Sequence, residues 1–183
     1  MSKKVIKNNL IVISIHAWMC FFFFFPSIFY PRILNVAWVL SNIGIDMFLC
    51  LAVGIYTLAA LILYFLAGKK LLNNTSNTLT NILSVITPAI LLVVYTRYIW
   101  NDPFPYSSWG GFVVNLPFEP LIEMIAFLLQ IPSGAIEGIY IYLILAPLPS
   151  LLMLAGLMVK QRKDKLNKTE LQNNENLELA EES

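Results

Sequence analysis

Four apolar runs, each long enough to cross a bilayer as a helix, constrain this chain more than any other feature of its sequence. A helix rises about 1.5 Å per residue, so roughly 20 apolar residues cover about 30 Å of hydrocarbon. In hydrocarbon every backbone N–H and C=O must be satisfied inside the protein, which leaves helices as the form for runs of this length. The expected fold is therefore all-α: a polytopic membrane protein with four transmembrane helices at about 10–30, 43–67, 79–100 and 135–159. Residues 10–159 make one membrane domain, flanked by a basic N-terminus at 1–9 and a charged tail at 160–183 that is expected to be disordered. Composition agrees: the chain is 58% hydrophobic and 13% charged, with a mean hydropathy of +0.71, unlike a soluble globular domain.

The first run follows Lys3, Lys4 and Lys7 and has the outline of a secretory signal. Residues 17–20 lack the small side chains of a cleavage site, and five phenylalanines at 21–25 follow them. That pattern suits an uncleaved anchor. Pro26 near its far end is tolerable as a kink. Residues 31–44 are amphiphilic, with Trp38 suited to the headgroup level, and fit a short interfacial helix or a plain loop. Gly68, Lys69 and Lys70 end the second run, and the polar turn at 71–78 follows. The third run carries Pro88 inside it, beside Thr87, which can satisfy the carbonyl that proline frees.

Charge sets the orientation. Ten of the 12 Lys and Arg residues fall in the N-terminus, the second connection and the tail; only Arg32 and Arg97 fall on the other side. Four spans bring those three basic segments to one face, so both termini are expected to be cytoplasmic, in the plasma membrane. The same threading puts Asp46, Asp102, Glu119, Glu123 and Glu137 at or near the outer side, leaving that end acidic. An acidic end favours cations over anions.

Residues 116–138 are apolar, are cut by Pro117, Pro120 and Pro132, and are too short between prolines to span. A helix over about 120–131 would carry Glu119, Glu123, Ala126 and Gln130 on one stripe, at helical spacing. It would lie in the outer interface or dip in and return as a re-entrant segment.

Glu123 and Glu137, with Asp46 or Arg97 as partners and Glu119 and Gln130 on the same stripe, form the candidate polar site. An ionisable group below the headgroups is a functional candidate by default. Its bland counterpart is an Arg97 that snorkels, or that pairs with an acid to fix packing, and a Glu137 that suits a helix N-terminus. Pro147 and Pro149 are a candidate helix break in the last span, of the kind that marks binding sites in some transporters. Gly134 and Gly138 make a weak GxxxG.

Other chemistry is excluded or unsupported. A net charge of +1 gives no basic face for nucleic acid, and no P-loop or GxGxxG exists for a nucleotide. His16, the one histidine, supplies no zinc or bis-His haem motif and reads as a hydrogen-bonded packing residue. Cys20 and Cys50 sit in apolar runs and form no CxxC. No cofactor is implied. The paired Asp motifs that a small lipoprotein-processing aspartyl peptidase of this size would need are missing.

Three functional readings follow. The first is a non-enzymatic accessory, immunity-type or assembly partner of another membrane protein, with the outer amphiphilic segment, including Trp109 and Phe118, exposed for contact. The second is a small transporter or substrate-binding subunit for a cationic or neutral solute. The third is an intramembrane enzyme using Glu123 and Glu137 as acid and base.

Overall fold

The structure, a computed structural model, describes residues 3–39, 45–75, 77–100, 115–129 and 138–181. Every element among them is helical: α1 (Lys3–Val39), α2 (Ile45–Leu71), α3 (Thr78–Trp100), a 3₁₀ turn (Leu116–Phe118), α4 (Glu119–Leu128), α5 (Gly138–Leu145) and α6 (Leu148–Glu181). Four helical stretches are long and apolar enough to cross a membrane: Lys3–Phe24, Leu51–Leu71, Thr78–Tyr98 and Tyr140–Asn174. In none of them is more than 39% of the apolar window buried inside the protein. Trp18, Phe22, Ile55, Ile90 and Ile144 all point outward, an arrangement that suits a hydrocarbon surround.

Side-chain pairs give the helix register. Asn8 meets Asn73, His16 meets Tyr64, and Tyr56 donates to the Phe23 carbonyl, so α1 and α2 run antiparallel with a constant offset. Lys160 donates to the Leu72 carbonyl and Gly156 lies against Lys69, so α2 and α6 run parallel. Asn8 also reaches Ser84 on α3. These pairings describe an up-down-up-down bundle. Its core contains Val12, Phe23, Ala60, Tyr64, Leu72, Val85, Phe118, Ile122, Met153 and Leu157.

The tightest contact lies between α2 and α6. A Cβ on Gly68 would fall 2.5 Å from the Met153 Cα, and a Cβ on Gly156 would meet the Phe65 carbonyl and come within 2.7 Å of the Lys69 nitrogen. No side chain separates the two backbones there. Such close approach supplies van der Waals contact between the two backbones, the kind of contact on which helix pairs in lipid depend.

Two boundaries differ from the sequence expectation, the end of the first helix and the tail, while the break in the last crossing and the short helix lie where their prolines indicated. The first helix does not stop near residue 30 but continues to Val39, through the region where an interfacial helix or loop was weighed. Pro26 and Pro31 each withdraw one N–H from the ladder, a local loss that a long helix survives when its neighbouring turns stay bonded. The last crossing is two helices: α5 ends at Leu145, Ala146 and Pro147 form a turn, and α6 starts at Leu148. Pro147 and Pro149 have no N–H for the carbonyls of Leu143 and Leu145, while Ala146 N–H to Tyr142 O (2.8 Å) and Leu151 N–H to Pro147 O (3.0 Å) bridge the gap. The short helix is α4, with Pro120 in its first turn as expected of a residue lacking a donor. Finally, α6 stays helical to Glu181, past the basic cluster, where a disordered tail was expected. Once a span has nucleated a helix, each further residue adds one hydrogen bond for one residue fixed, so the helix continues into the polar tail without a second nucleation cost.

Candidate functional site

The candidate outer site is only partly within the described residues. Gln130 and Glu137 lie outside them, as do Gly134 and residues 101–114. For Asp46, Glu119 and Glu123 the structure describes the backbone: Asp46 in the first turn of α2, Glu119 and Glu123 four residues apart on α4. Arg97 is exposed in the last turn of α3, where a cation complements the helix dipole. The helix break is present where its two prolines indicated, with Pro149 buried and Pro147 half-buried. Thr87 is exposed beside a buried Pro88.

The polar chemistry that the structure does assemble lies elsewhere, at two levels of the bundle. The first is the end where α2 passes into α3. Asn8 on α1 accepts from the Asn73 N–H (2.9 Å) and the Asn73 Nδ2 (3.2 Å), and donates to the Asn73 carbonyl (2.9 Å) and Ser84 Oγ (3.3 Å). Asn81 on α3 accepts from the Thr75 N–H (3.0 Å) and hydroxyl (2.7 Å), and donates to the Thr75 carbonyl and Asn74 Oδ1 (both 3.2 Å). From α6, Lys160 donates to the Leu72 carbonyl (2.9 Å), Gln161 to the Thr75 carbonyl (3.3 Å), and Asp164 accepts from Asn74 Nδ2 (2.7 Å). Asn77 caps α3 by accepting from the Leu79 N–H (2.9 Å). Asn8, Asn81, Ser84 and Gln161 are all buried. The polar groups of the loop are thus bonded by three different helices.

The second level lies about 12 Å further along α1, eight residues on at helical rise. His16 Nδ1 and the Tyr64 hydroxyl share a 2.8 Å hydrogen bond, and His16 Nε2 lies 3.6 Å from Cys20 Sγ, one turn away. The Phe118 ring stacks on Tyr64 at 5.9 Å and 21°. All four side chains are buried, and Phe118 is 1% exposed. The expectation that Phe118 offers itself to a partner is therefore overturned: its ring is core. His16 is the hydrogen-bonded packing residue its setting suggested.

This level holds an imidazole, a thiol and a phenol, but the groups face one another. Among the described residues no three His, Cys, Asp or Glu side chains come together as a metal site. Thr57, Thr96 and Ser150 keep buried hydroxyls without a partner among the described groups, one on each of α2, α3 and α6.

Sequence reasoning missed the first polar level, and at the second it read His16 as a hydrogen-bonded packing residue without naming Tyr64 as its partner. A cluster of asparagines around 73–81 was visible as a turn, yet nothing local says that Asn8 would reach it from 65 residues away. It also missed the glycine crossing. The two Ala-Gly pairs, at 67–68 and 155–156, were the available signal. No protein-family model matches the chain, and neither a curated protein nor a solved structure is significantly similar to it.

Proposed function

We propose that this protein is a multi-pass plasma-membrane protein, with both termini cytoplasmic, that performs no chemistry of its own and acts as an accessory, immunity-type or assembly partner of another membrane protein. The observation that carries the reading is how the core uses its polar groups. Asn8, Asn81, His16 and Gln161 each bond to another helix or to the loop, so they lock the bundle and are not left waiting for a substrate. The exposed ring system of Trp18 and Phe21, edge-to-face at 6.1 Å on the outer surface of α1, remains for lipid or for a partner helix.

Within this reading residues 115–129 are a re-entrant segment and not an interfacial one. Support comes from Phe118 and Ile122, both buried in the core, and from the stacking of Phe118 on Tyr64, seven residues from the end of α2. A helix lying flat on a headgroup surface would not bring a ring that deep. The cytoplasmic orientation rests on the basic residues that the bundle gathers at one end.

The test is site-specific photo-crosslinking from Trp18 or Phe22 in native membranes. A discrete adduct with one other membrane protein is expected. A chain that yields lipid adducts alone from both positions and migrates as a monomer would remove the reading. A small transporter for a cationic or neutral solute is the second reading, favoured by the observed break at residues 146–147. It requires that Glu123→Gln and Glu137→Gln abolish uptake while the protein stays folded in the membrane; wild-type uptake in both would dismiss it.

A further inference from the structure

We propose that the groove between the start of α3 and the basic stretch of α6 binds the headgroup of an anionic phospholipid. The groove is lined by Thr78, Met158, Val159, Gln161, Arg162 and Lys165. Met158, Arg162 and Lys165 fall at helical spacing on one stripe of α6, so the apolar floor faces the membrane end of the groove and the two cations face the aqueous end. That order matches a phospholipid, acyl chain below and phosphate above.

Charge complementarity selects the anionic class. Among the described residues no carboxylate holds Arg162 or Lys165, and both are exposed. Asp164, next to Lys165 in the chain, accepts from Asn74 Nδ2 and is not among the residues that line the groove. Lys160 is committed to the Leu72 carbonyl. Opposite the two cations stands Thr78, the first residue of α3, whose hydroxyl donates to Gln161 Oε1 (3.5 Å); Asn77 caps that helix end, so the attraction comes from the two cations. Gln161, 3% exposed, forms the back wall and keeps its amide on the Thr75 carbonyl. A guanidinium supplies the fork that pairs with phosphate oxygens, while lysine adds a mobile charge. Lys69 and Lys70 in the last turn of α2 and Lys3 and Lys4 at the start of α1 give the same end of the bundle a wider positive field, which concentrates anionic lipid around it.

The experiment titrates the purified full-length protein with phosphatidylglycerol and, separately, with phosphatidylcholine, and counts bound lipid by native mass spectrometry. Phosphatidylglycerol is expected to bind at least about tenfold more tightly than phosphatidylcholine, given two cations at the headgroup. Arg162→Gln with Lys165→Gln should weaken phosphatidylglycerol roughly 30-fold, taking about one surface-charge contribution per residue. The matched pair Lys3→Gln with Lys4→Gln, at the same end but outside the groove, should change it less than about threefold. Arg162→Gln alone should fall between the two. Wild-type affinity in the groove double variant would overturn the site. Equal loss in the matched pair would also overturn it, because the attraction would then be diffuse. So would displacement of the lipid by millimolar glycerol phosphate, which carries the phosphate without the chains.

Discussion

Three glycines in this protein offer one substitution with three outcomes. Gly54, Gly68 and Gly156 are all helical, so replacing any of them with alanine gains about 1 kcal/mol of helix propensity. At Gly54 nothing lies within 4 Å of the new methyl, so Gly54→Ala should be neutral or stabilising by up to about 1 kcal/mol. At Gly156 the methyl lands on the Phe65 carbonyl and 2.7 Å from the Lys69 nitrogen; at Gly68 it lands on the backbone of Met153. These obstacles are helix backbone and have no rotamer to turn aside. The helices must part by about 1 Å, and a gap of that size forfeits a quarter to a half of each contact along the seam. Overpacking of this kind costs about 1–3 kcal/mol, with backbone obstacles at the upper end.

Subtracting the Gly54 result cancels the propensity gain and leaves the steric term. Gly156→Ala should therefore lie about 3 kcal/mol below Gly54→Ala. The parting also strains the Lys160 to Leu72 and Asn74 to Asp164 bonds, which tie α6 to the loop after α2. Equilibrium unfolding in mixed micelles, read by far-UV circular dichroism, measures the three variants side by side. The combined Gly68→Ala and Gly156→Ala variant should cost less than the two singles together, since one separation relieves both clashes. If Gly156→Ala and Gly54→Ala unfold alike, the seam is not a backbone contact and the argument fails.

Three further outcomes follow from the polar levels and the core. A double-mutant cycle on His16→Leu and Tyr64→Phe should show a coupling of about 0.6–1.7 kcal/mol, the range for hydrogen bonds between membrane helices; additive singles would mean the 2.8 Å pairing contributes nothing. Asn8→Leu should destabilise by about 1–3 kcal/mol, because the Asn73 N–H loses its acceptor, and the Asn73 amide should exchange with deuterium much faster than in the wild type. An unchanged Asn73 amide would show that Asn8 does not hold the loop. Phe118→Ala should cost about 3–5 kcal/mol as a buried aromatic deletion and raise exchange across 115–129. Protection identical to wild type there would refute its role as the anchor of that segment.

The parts of the fold that were legible in the sequence are those that one run of residues can encode. Apolar length marks a span, and Lys69 and Lys70 mark its end. Pro147 and Pro149 mark a break, because a missing N–H is a local fact wherever the helix sits. What could not be read is the register between helices. Nothing near His16 says that Tyr64 will face it 48 residues later, and nothing near Phe118 says that its neighbours are α1 and α2 and not headgroups. Gly68 was read as a stop, since glycine ends helices; its second use, letting a backbone approach, depends on Gly156 arriving opposite it. The candidate outer site was chosen from charge and helical spacing, whereas the groups brought together among the described residues are mostly uncharged amides, whose importance shows only once they are buried.

The loop between α2 and α3 has a consequence for the order in which the protein is made. Asn8 is made before its partners at Asn73 and Ser84, and Gln161 and Asp164, which also bond the loop, are made after them. If α1 enters a bilayer before α2 is made, the Asn8 amide sits near one end, where water can hold it, and His16 sits deeper, beside Cys20 of the same helix but still without Tyr64. Relief comes in two instalments: the second helix brings Tyr64 to His16, and the fourth crossing closes the loop. A chain arrested before residue 64 therefore holds His16 without the Tyr64 hydroxyl that meets it in the complete bundle. That makes the hairpin of α1 and α2, and not α1 alone, the smallest unit in which His16 has the hydroxyl it keeps in the complete bundle.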